Sequence, residues 1–536
     1  MSEDKIDQVH AAVGQFGKWQ AMLISVVATA VSTPTAWHIL AQGFLSKTPD
    51  FTCDIQNQSG AFSSIEEWNK FSSPLGVNED GRQSTEREIC QIYNFNYDQL
   101  DSEQVQTLDL AKEPYLNLTG CPSFWYNTTV RTIVTDFDLV CERKYLVTLA
   151  QSVFMIGLTC GCVVAGHVSD KIGRLKAISL FGALLFISDL ANVFSINIYM
   201  YLCMRFCMGF TLIAASSAFN TYCIELLGGK WVTIIGVGKG VFWTIGYITT
   251  PLLAYYIQDW IYLQSVISVG ALSMAVVFFF VPESPKWFLA VGKLDQAERA
   301  LRQGANINGL VWKEDTVLFR TSKDDEKASI FTGFYHLLAT PNMRKKALIQ
   351  FYLWFTCSLV YYALTLNVGT LFPGNTYINF FISGLIELPV LPLVIVILLY
   401  LGRRGLLSLG LLFSAIFMGV TLVVPAGTAS IVTGLLGKFC ITGCFFTLHM
   451  FANEMFPTVV RNTGYGASNM CARFASILAP IFGRELGRDI PLVVFGVLSL
   501  IGSVLVLFLP ETKNKKLPDS LEEGEEFGKV QKFFSI

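Results

Sequence analysis

Apolar residues fall in long blocks along this chain, and a window of about 19 residues finds about twelve blocks able to cross a roughly 30 Å hydrocarbon core as helices. The first runs from about Lys18 to Leu45. A polar, acidic segment rich in Asn and Ser then continues to about Lys144. Five more blocks lie near 145–167, 177–195, 197–221, 232–257 and 261–281. A charged segment from Pro282 to Lys346 separates these from six others, near 347–371, 376–400, 406–424, 428–451, 462–482 and 489–509. The pattern predicts an all-α membrane protein with about 12 transmembrane helices in two six-helix halves. It divides the chain into an N-terminus (1–17), an N-terminal bundle (18–281) that includes a large loop (46–143), a linker (282–346), a C-terminal bundle (347–509) and a tail (510–536). The first block is longer than the apolar core of a secretory signal and no clear small-residue cleavage site follows it, so it reads as a retained span.

Basic clusters give the spans a direction. Lys171, Arg174 and Lys176 follow the second, Arg344, Lys345 and Lys346 precede the seventh, and Arg403 and Arg404 follow the eighth. Alternating spans place all of these on one side, which the positive-inside rule makes cytosolic together with both termini. The 46–143 loop then faces outward or into a lumen. It carries glycosylation sequons at Asn57, Asn117 and Asn127 and four cysteines, Cys53, Cys90, Cys121 and Cys141, in the compartment where disulfides form. Three pairings of the four are open. The other nine cysteines show no metal-ligand spacing, and neither a metal nor a cofactor is expected.

Composition agrees: of 536 residues, 52% are hydrophobic and 15% charged, against about 25% charged in soluble chains. With 39 basic and 41 acidic residues the net charge is −2, which leaves no electrostatic case for nucleic-acid binding.

The two halves repeat one another. Gly173-Arg174 recurs as Gly402-Arg403, and Glu225-Leu-Leu as Glu454-Met-Phe, both after 229 residues; Pro282-Glu283-Ser recurs as Pro510-Glu511-Thr after 228. Three matches at equivalent loop positions mark a duplicated six-span unit. The repeated Arg and Glu residues are expected to pair across the cytosolic face when the halves close, as a weak latch worth about 0 to 1 kcal/mol per exposed pair.

The stretch Gly166-His-Val-Ser-Asp170-Lys-Ile-Gly173-Arg174-Leu-Lys176 resembles the signature loop of the major facilitator superfamily. Thr135-Asp-Phe-Asp-Leu-Val-Cys141, Pro282-Glu-Ser-Pro-Lys-Trp287, Glu454-Met-Phe-Pro-Thr-Val-Val-Arg461-Asn462 and Leu509-Pro-Glu-Thr resemble the organic ion transporter family within it, whose members carry organic cations, organic anions or carnitine-like solutes. The resemblance covers nearly the whole chain. It implies the major facilitator fold and a cytosolic gate at Asp170, Gly173, Arg174, Glu225, Glu283, Arg403, Arg404, Glu454, Arg461 and Glu511. One departure is Gly228-Gly-Lys-Trp231, which is shorter than the family's loop and lacks its paired arginines.

Ionisable residues at membrane depth carry the argument about substrate, because each costs at least about 2.5 to 3.5 kcal/mol without a partner or a task. They are Asp189, Arg205, Lys239, Glu387, Lys438 and Arg473. Asp189 and Arg205, at similar depth on consecutive spans, are expected to pair. Arg473 follows Arg461 by twelve residues, roughly 18 Å along a helix, and so lies near the midplane. Its planar fork suits carboxylate, sulfate or phosphonate groups. The resemblance implies the same, since anion and carnitine-type members carry Arg there and cation-selective members an acid. Glu387 precedes Pro389 and Pro392, which remove helical donors from the Leu385 and Leu388 carbonyls and create a cation-facing surface. One turn on, Leu391 stands where anion-selective relatives typically carry Lys.

With Lys239 and Lys438, three basic groups face one acid, an arrangement that repels a simple cation and accepts an anion or zwitterion. Trp354, Phe445 and Phe446 add aromatic faces at this depth, and Tyr361 and Tyr362 match substrate-contacting positions of the family. The expected substrate site is therefore Arg473, Glu387, Tyr361, Tyr362, Lys438, Lys239, Trp354 and Phe446.

The expected function is a polyspecific secondary transporter of small organic ions, zwitterions or anions above all, working by alternating access in the plasma membrane. The alternatives are an organic cation transporter and a receptor-like protein that binds without flux. No phosphate loop or catalytic constellation supports an enzyme. Expected partners are the organic ion substrate and membrane lipid, with sodium, proton or counter-substrate coupling, and the chain is expected as a monomer or weak homo-oligomer.

Overall fold

The computed structural model describes residues 8–54, 68, 71–77, 83–87, 90–95, 117–229, 231–312, 330–425, 427–457, 459–513, 515, 518 and 520–529. Among these, twelve long helical segments form two sets of six. The first set is α1 (Lys18–Leu40), α2 (Tyr145–Ile172), α3 (Arg174–Val193), α4 (Ile198–Leu226), α5 (Trp231–Gly238 and Gly240–Tyr256) and α6 (Trp260–Val276). The second is α7 (Pro341–Leu366), α8 (Thr376–Leu398), α9 (Tyr400–Val423), α10 (Thr428–Met455), α11 (Arg461–Arg484) and α12 (Asp489–Val506). Ten are each long and apolar enough to cross a membrane. The other two are α5, interrupted at Lys239, and α11, whose sequence includes Arg461, Arg473 and Arg484. α5 falls short in length, its apolar pieces being 8 and 17 residues long, and α11 in apolarity; these two helices present Lys239 and Arg473.

Two ends of the helical unit can be told apart by what joins them. The linker end carries the connection from α6 to α7, and the loop end carries residues 45–147, which form a separate compact unit. Within that unit three antiparallel ribbons pair Phe51–Cys53 with Phe124–Tyr126, Leu75–Val77 with Gln83–Arg87, and Gln91–Tyr93 with Leu118–Gly120. Of the three open pairings, the fold selects Cys53–Cys121 and Cys90–Cys141. Asn117 and Asn127 are exposed, and Asn57 lies outside the described residues.

The linker begins with helices Pro285–Val291 and Leu294–Asn308. Asn308 ties the second to the start of the bundle, accepting from the Trp19 amide and donating to the Val13 carbonyl. Gly228 and Trp231 meet the residues before α1: the Gly228 amide donates to the Gln15 carbonyl, and Trp231 stacks on Phe16 at 4.5 Å. The second set has a comparable strap from the tail. Helix Leu521–Glu526 sets the Glu525 carboxylate on the amides of Asn342 (3.1 Å) and Met343 (2.9 Å) and the Thr340 hydroxyl (2.6 Å), capping α7.

Burial raises the Glu525 carboxyl, but the hydrogen bonds from Thr340, Met343 and Asn342 outweigh it and leave the group below the ordinary carboxylate range. A depressed acid stabilises docking above its unfolded value and loses that contribution as pH falls through the folded one. Acidification, or Glu525→Gln at neutral pH, should therefore loosen the tail, read as faster proteolysis after residue 513.

Candidate functional site

The carboxylate expected to face a substrate cation already has a protein partner. Glu387 opens the inner part of α8 just after the helix is interrupted at Ile386, where Pro389 offers no amide to the Leu385 carbonyl. Its Oε1 lies 3.2 Å from Lys438 Nζ and accepts from the Tyr361 hydroxyl at 3.1 Å. Lys438 also donates to Ser383 Oγ (2.7 Å), the Ser383 carbonyl (3.2 Å) and the Tyr247 hydroxyl (2.8 Å), with its ammonium 4.2 Å from the Tyr247 ring centre. Both charged side chains are at most 2% exposed. Such a pair survives burial only because further hydrogen bonds satisfy it. Lys438 is thereby removed from the free positive charges. Glu387 Oε2 is buried with no hydrogen-bond partner.

Arg473 is half-buried on α11, and among the described residues no carboxylate comes within ion-pair distance of it. Its Nε is buried without a hydrogen-bond partner. The guanidinium hydrogen-bonds the Tyr362 side chain, with Tyr465 and, from α2 of the other half, Cys162 in its neighbourhood. His449 on α10 feels both Arg473 and Lys239 and hydrogen-bonds the Tyr465 hydroxyl through Nδ1 at 2.9 Å. Lys239, at the interruption of α5, donates to Asn220 Oδ1 and lies 5.6 Å from the Phe219 ring centre.

The aromatic wall is continuous. Trp354 meets His449 at 4.6 Å and Tyr465 at 5.5 Å, and Phe445 stacks on Tyr361 at 5.5 Å, which in turn meets Tyr362 edge-on at 5.3 Å. Phe446 stands apart and packs on the cluster of Val390, Val394, Leu398 and Leu406. Tyr247, Ser383, His449 and Tyr465 were not expected from the sequence. A hydroxyl or imidazole deep in an apolar span was the available signal, since each must find a partner there.

The expected Asp189–Arg205 pair is corrected by the geometry. Asp189 Oδ2 lies 2.9 Å from His38 Nε2 and Oδ1 accepts from Gln264 at 3.0 Å, whereas Arg205 donates to Gln151 at 3.1 Å and lies 4.3 Å from the Phe154 ring centre. Similar depth brought the two near, but they point to different neighbouring helices.

The linker end holds the duplicated charges. Arg174 bonds Glu225 (2.7 Å) and Asp170 (2.8 Å), and Glu283 accepts from the amides of Arg174, Leu175 and Lys176 at the start of α3 and from its own neighbour Ser284. Burial pushes the Glu283 carboxyl upward, which the four amides only partly offset. In the second half Arg403 bonds Glu454 (2.8 Å), and Glu511 accepts from the amides of Arg403 (3.1 Å) and Arg404 (2.9 Å). Arg461 donates to the Phe456 carbonyl at 3.3 Å. Among the described residues, the Arg174–Glu225 and Arg403–Glu454 pairs each form inside one half, which corrects the expected pairing between the halves. Each cluster is local because Arg and both Glu partners end helices of one six-helix unit.

Gly173 (φ 112°) and Gly402 (φ 74°) make this possible: a Cβ on either would come within 2.5 Å and 2.6 Å of the Glu283 and Glu511 carboxylates. Gly173→Ala or Gly402→Ala should cost about 1–3 kcal/mol through backbone strain and displacement of the cap, read as a lower Tm in detergent.

The chain matches the family model described as sugar (and other) transporter over residues 88–522. It is 32% identical to an organic cation transporter protein of Drosophila melanogaster, over 98% of this chain and 95% of that one. It is 31% identical to a beta-alanine transporter of the same organism (97% and 89% covered) and 30% identical to organic cation/carnitine transporter 2 of Homo sapiens (96% and 93%). Among solved structures, the partially occluded inward-open form of the xylose transporter XylE from E. coli shares the fold, with TM-score 0.59 and 16% identity over 93% of this chain and all of that one. Twelve helices in two repeated sets, charged turns at equivalent places and these relatives together make the chain a multi-pass membrane carrier, not an enzyme, belonging to the organic ion transporter family of the major facilitator superfamily.

Proposed function

We propose that this carrier moves small carboxylate-bearing organic ions, zwitterions and anions, across the plasma membrane by alternating access, with the linker end and both termini cytosolic. One observation carries the substrate class. Lys438 neutralises Glu387, while Arg473 faces the aromatic wall without a carboxylate partner and with Lys239 nearby. The uncompensated charge at this depth is positive, which attracts a carboxylate and repels a simple cation. A zwitterion gains a second anchor at the buried, unpartnered Glu387 Oε2 once the site opens to admit it, and at the tyrosine faces, where cation–π attraction reaches about 2 kcal/mol when dry. Relatives named for carnitine and beta-alanine, both zwitterions, fit this reading.

Contacts between the halves gather toward the loop end. Thr148 donates to Glu485, Ser152 donates to the Ile477 carbonyl at 3.1 Å, Lys438 reaches Tyr247, and Tyr255 meets Tyr377 at 5.6 Å. This supports a state closed toward the outside, from which rocking of the halves opens the loop end.

The test is uptake into proteoliposomes of a carnitine-like zwitterion, a dicarboxylate and a quaternary amine, with and without a sodium gradient. Saturable flux of the first two above the third is expected. Preference for the amine would reject the substrate class, and binding without flux would make the protein receptor-like.

A further inference from the structure

His38 on α1 has a hydrogen-bond problem that a neutral imidazole cannot solve. Its Nδ1 lies 2.7 Å from the Pro34 carbonyl, and its Nε2 lies 2.9 Å from Asp189 Oδ2. A carbonyl cannot donate, so Nδ1 carries a hydrogen. The remaining contact, nitrogen to carboxylate oxygen, needs a second hydrogen between them, whether it is drawn on the ring or on the acid. The pair therefore holds one proton more than a neutral imidazole and a free carboxylate. Both side chains are fully buried, so the proton cannot be replaced by water.

The groups facing this pair come from every neighbouring helix. From α6, Gln264 donates to Asp189 Oδ1. From α4, the Arg205 charge acts on Asp189, and Tyr201 hydrogen-bonds Gln42 at 2.8 Å. From α2, the neutral Gln151 amide reaches the Ile39 carbonyl at 3.4 Å. From α5, the uncharged Thr249 accepts from Trp37 at 2.8 Å. Arg205 is the charged group of these that acts on the pair.

We propose that His38 and Asp189 form a one-proton site and that the carrier moves a proton together with its substrate through it; the proposal rests on the carrier reading above. The step is a binding and a release: a proton from outside bonds to the imidazole nitrogen, and the same proton leaves toward the cytosol. Once it leaves, a neutral His38 keeps either Pro34 or Asp189, and the other contact becomes two facing lone pairs. One must open.

Pro34 lets α1 yield there. Proline gives no amide to the Ala30 carbonyl, which instead accepts from the Ser273 hydroxyl at 3.1 Å. The same stretch of α1 is tied to the substrate region. Thr33 donates to the Phe242 carbonyl at 3.0 Å, three residues from Lys239, and Thr35 meets Ser216 at 3.0 Å on α4, one turn before Asn220, the partner of Lys239. Loading the proton and shaping the Lys239 side of the site thus bias one bendable element. Each substrate carboxylate crosses with a compensating positive charge.

The full-length protein in proteoliposomes with a trapped pH-sensitive dye tests this, using labelled L-carnitine, β-alanine and succinate as probes. Probe entry is expected to acidify the interior, and one unit of pH gradient to sustain about tenfold accumulation. H38Q is expected to lower the protons moved per probe molecule at least tenfold. Should H38Q fail to insert, D189N and the wild-type acidification still decide the matter. Probe flux without acidification, or a variant with the wild-type proton ratio, overturns the proton site. Absence of counterflow for all three probes in the wild type rejects the carrier reading instead.

Discussion

Arg473→Ala abolishes saturable uptake of carboxylate substrates, lowering kcat/KM by about 100-fold or more. Two orders of magnitude correspond to about 2.7 kcal/mol, within the range for losing a charge-assisted, bidentate contact in a dry site. Among the described residues the guanidinium makes no ion pair that would collapse when removed, so the variant should fold. Arg473→Lys separates charge from shape: it keeps the charge and loses the fork, and is expected to recover only part of the activity. Initial rates across a concentration series of a labelled zwitterion and a dicarboxylate provide the measurement. Full retention of saturable uptake by the alanine variant defeats the assignment.

Glu387→Gln has its largest effect on stability. It leaves the Lys438 ammonium buried opposite an amide, and breaking one side of a buried pair costs about 3–5 kcal/mol. A thermal scan in detergent should show a clear fall in Tm. Changing both partners, Glu387→Gln with Lys438→Gln, should recover most of it, because no uncompensated charge remains. Uptake normalised to folded protein then reports the substrate role: zwitterion transport falls in the double variant and pure anion transport persists. Equal Tm values for wild type and Glu387→Gln would show that the Lys438 contact contributes nothing.

Much of the architecture is legible in the chain because lipid imposes length and apolarity on each span, and the repeat marks equivalent turns. Partner choice could not be read in the same way. Residue number along a helix gives depth, and on that basis Asp189 and Arg205 matched; direction around the helix, which gave Asp189 to His38 and Arg205 to Gln151, depends on packing. Lys438 was recognised as buried, but its contact with Glu387 depends on how α8 and α10 meet. His38 and His449 carry no signal of this kind, because histidine adds nothing to a formal charge count. At the linker end the repeat marks Arg174, Glu225, Arg403 and Glu454, and their grouping within each half depends on the fold.

That grouping has a consequence for turnover. A latch of ion pairs between halves would weaken as salt rises, since exposed charges are screened over about 8 Å at physiological ionic strength. Arg174 with Glu225 and Arg403 with Glu454 each lie within one half, so the proposed rocking of the halves breaks neither pair. Under that proposal the rate of switching should be nearly indifferent to potassium chloride at the linker end, so a salt series in proteoliposomes should leave turnover unchanged.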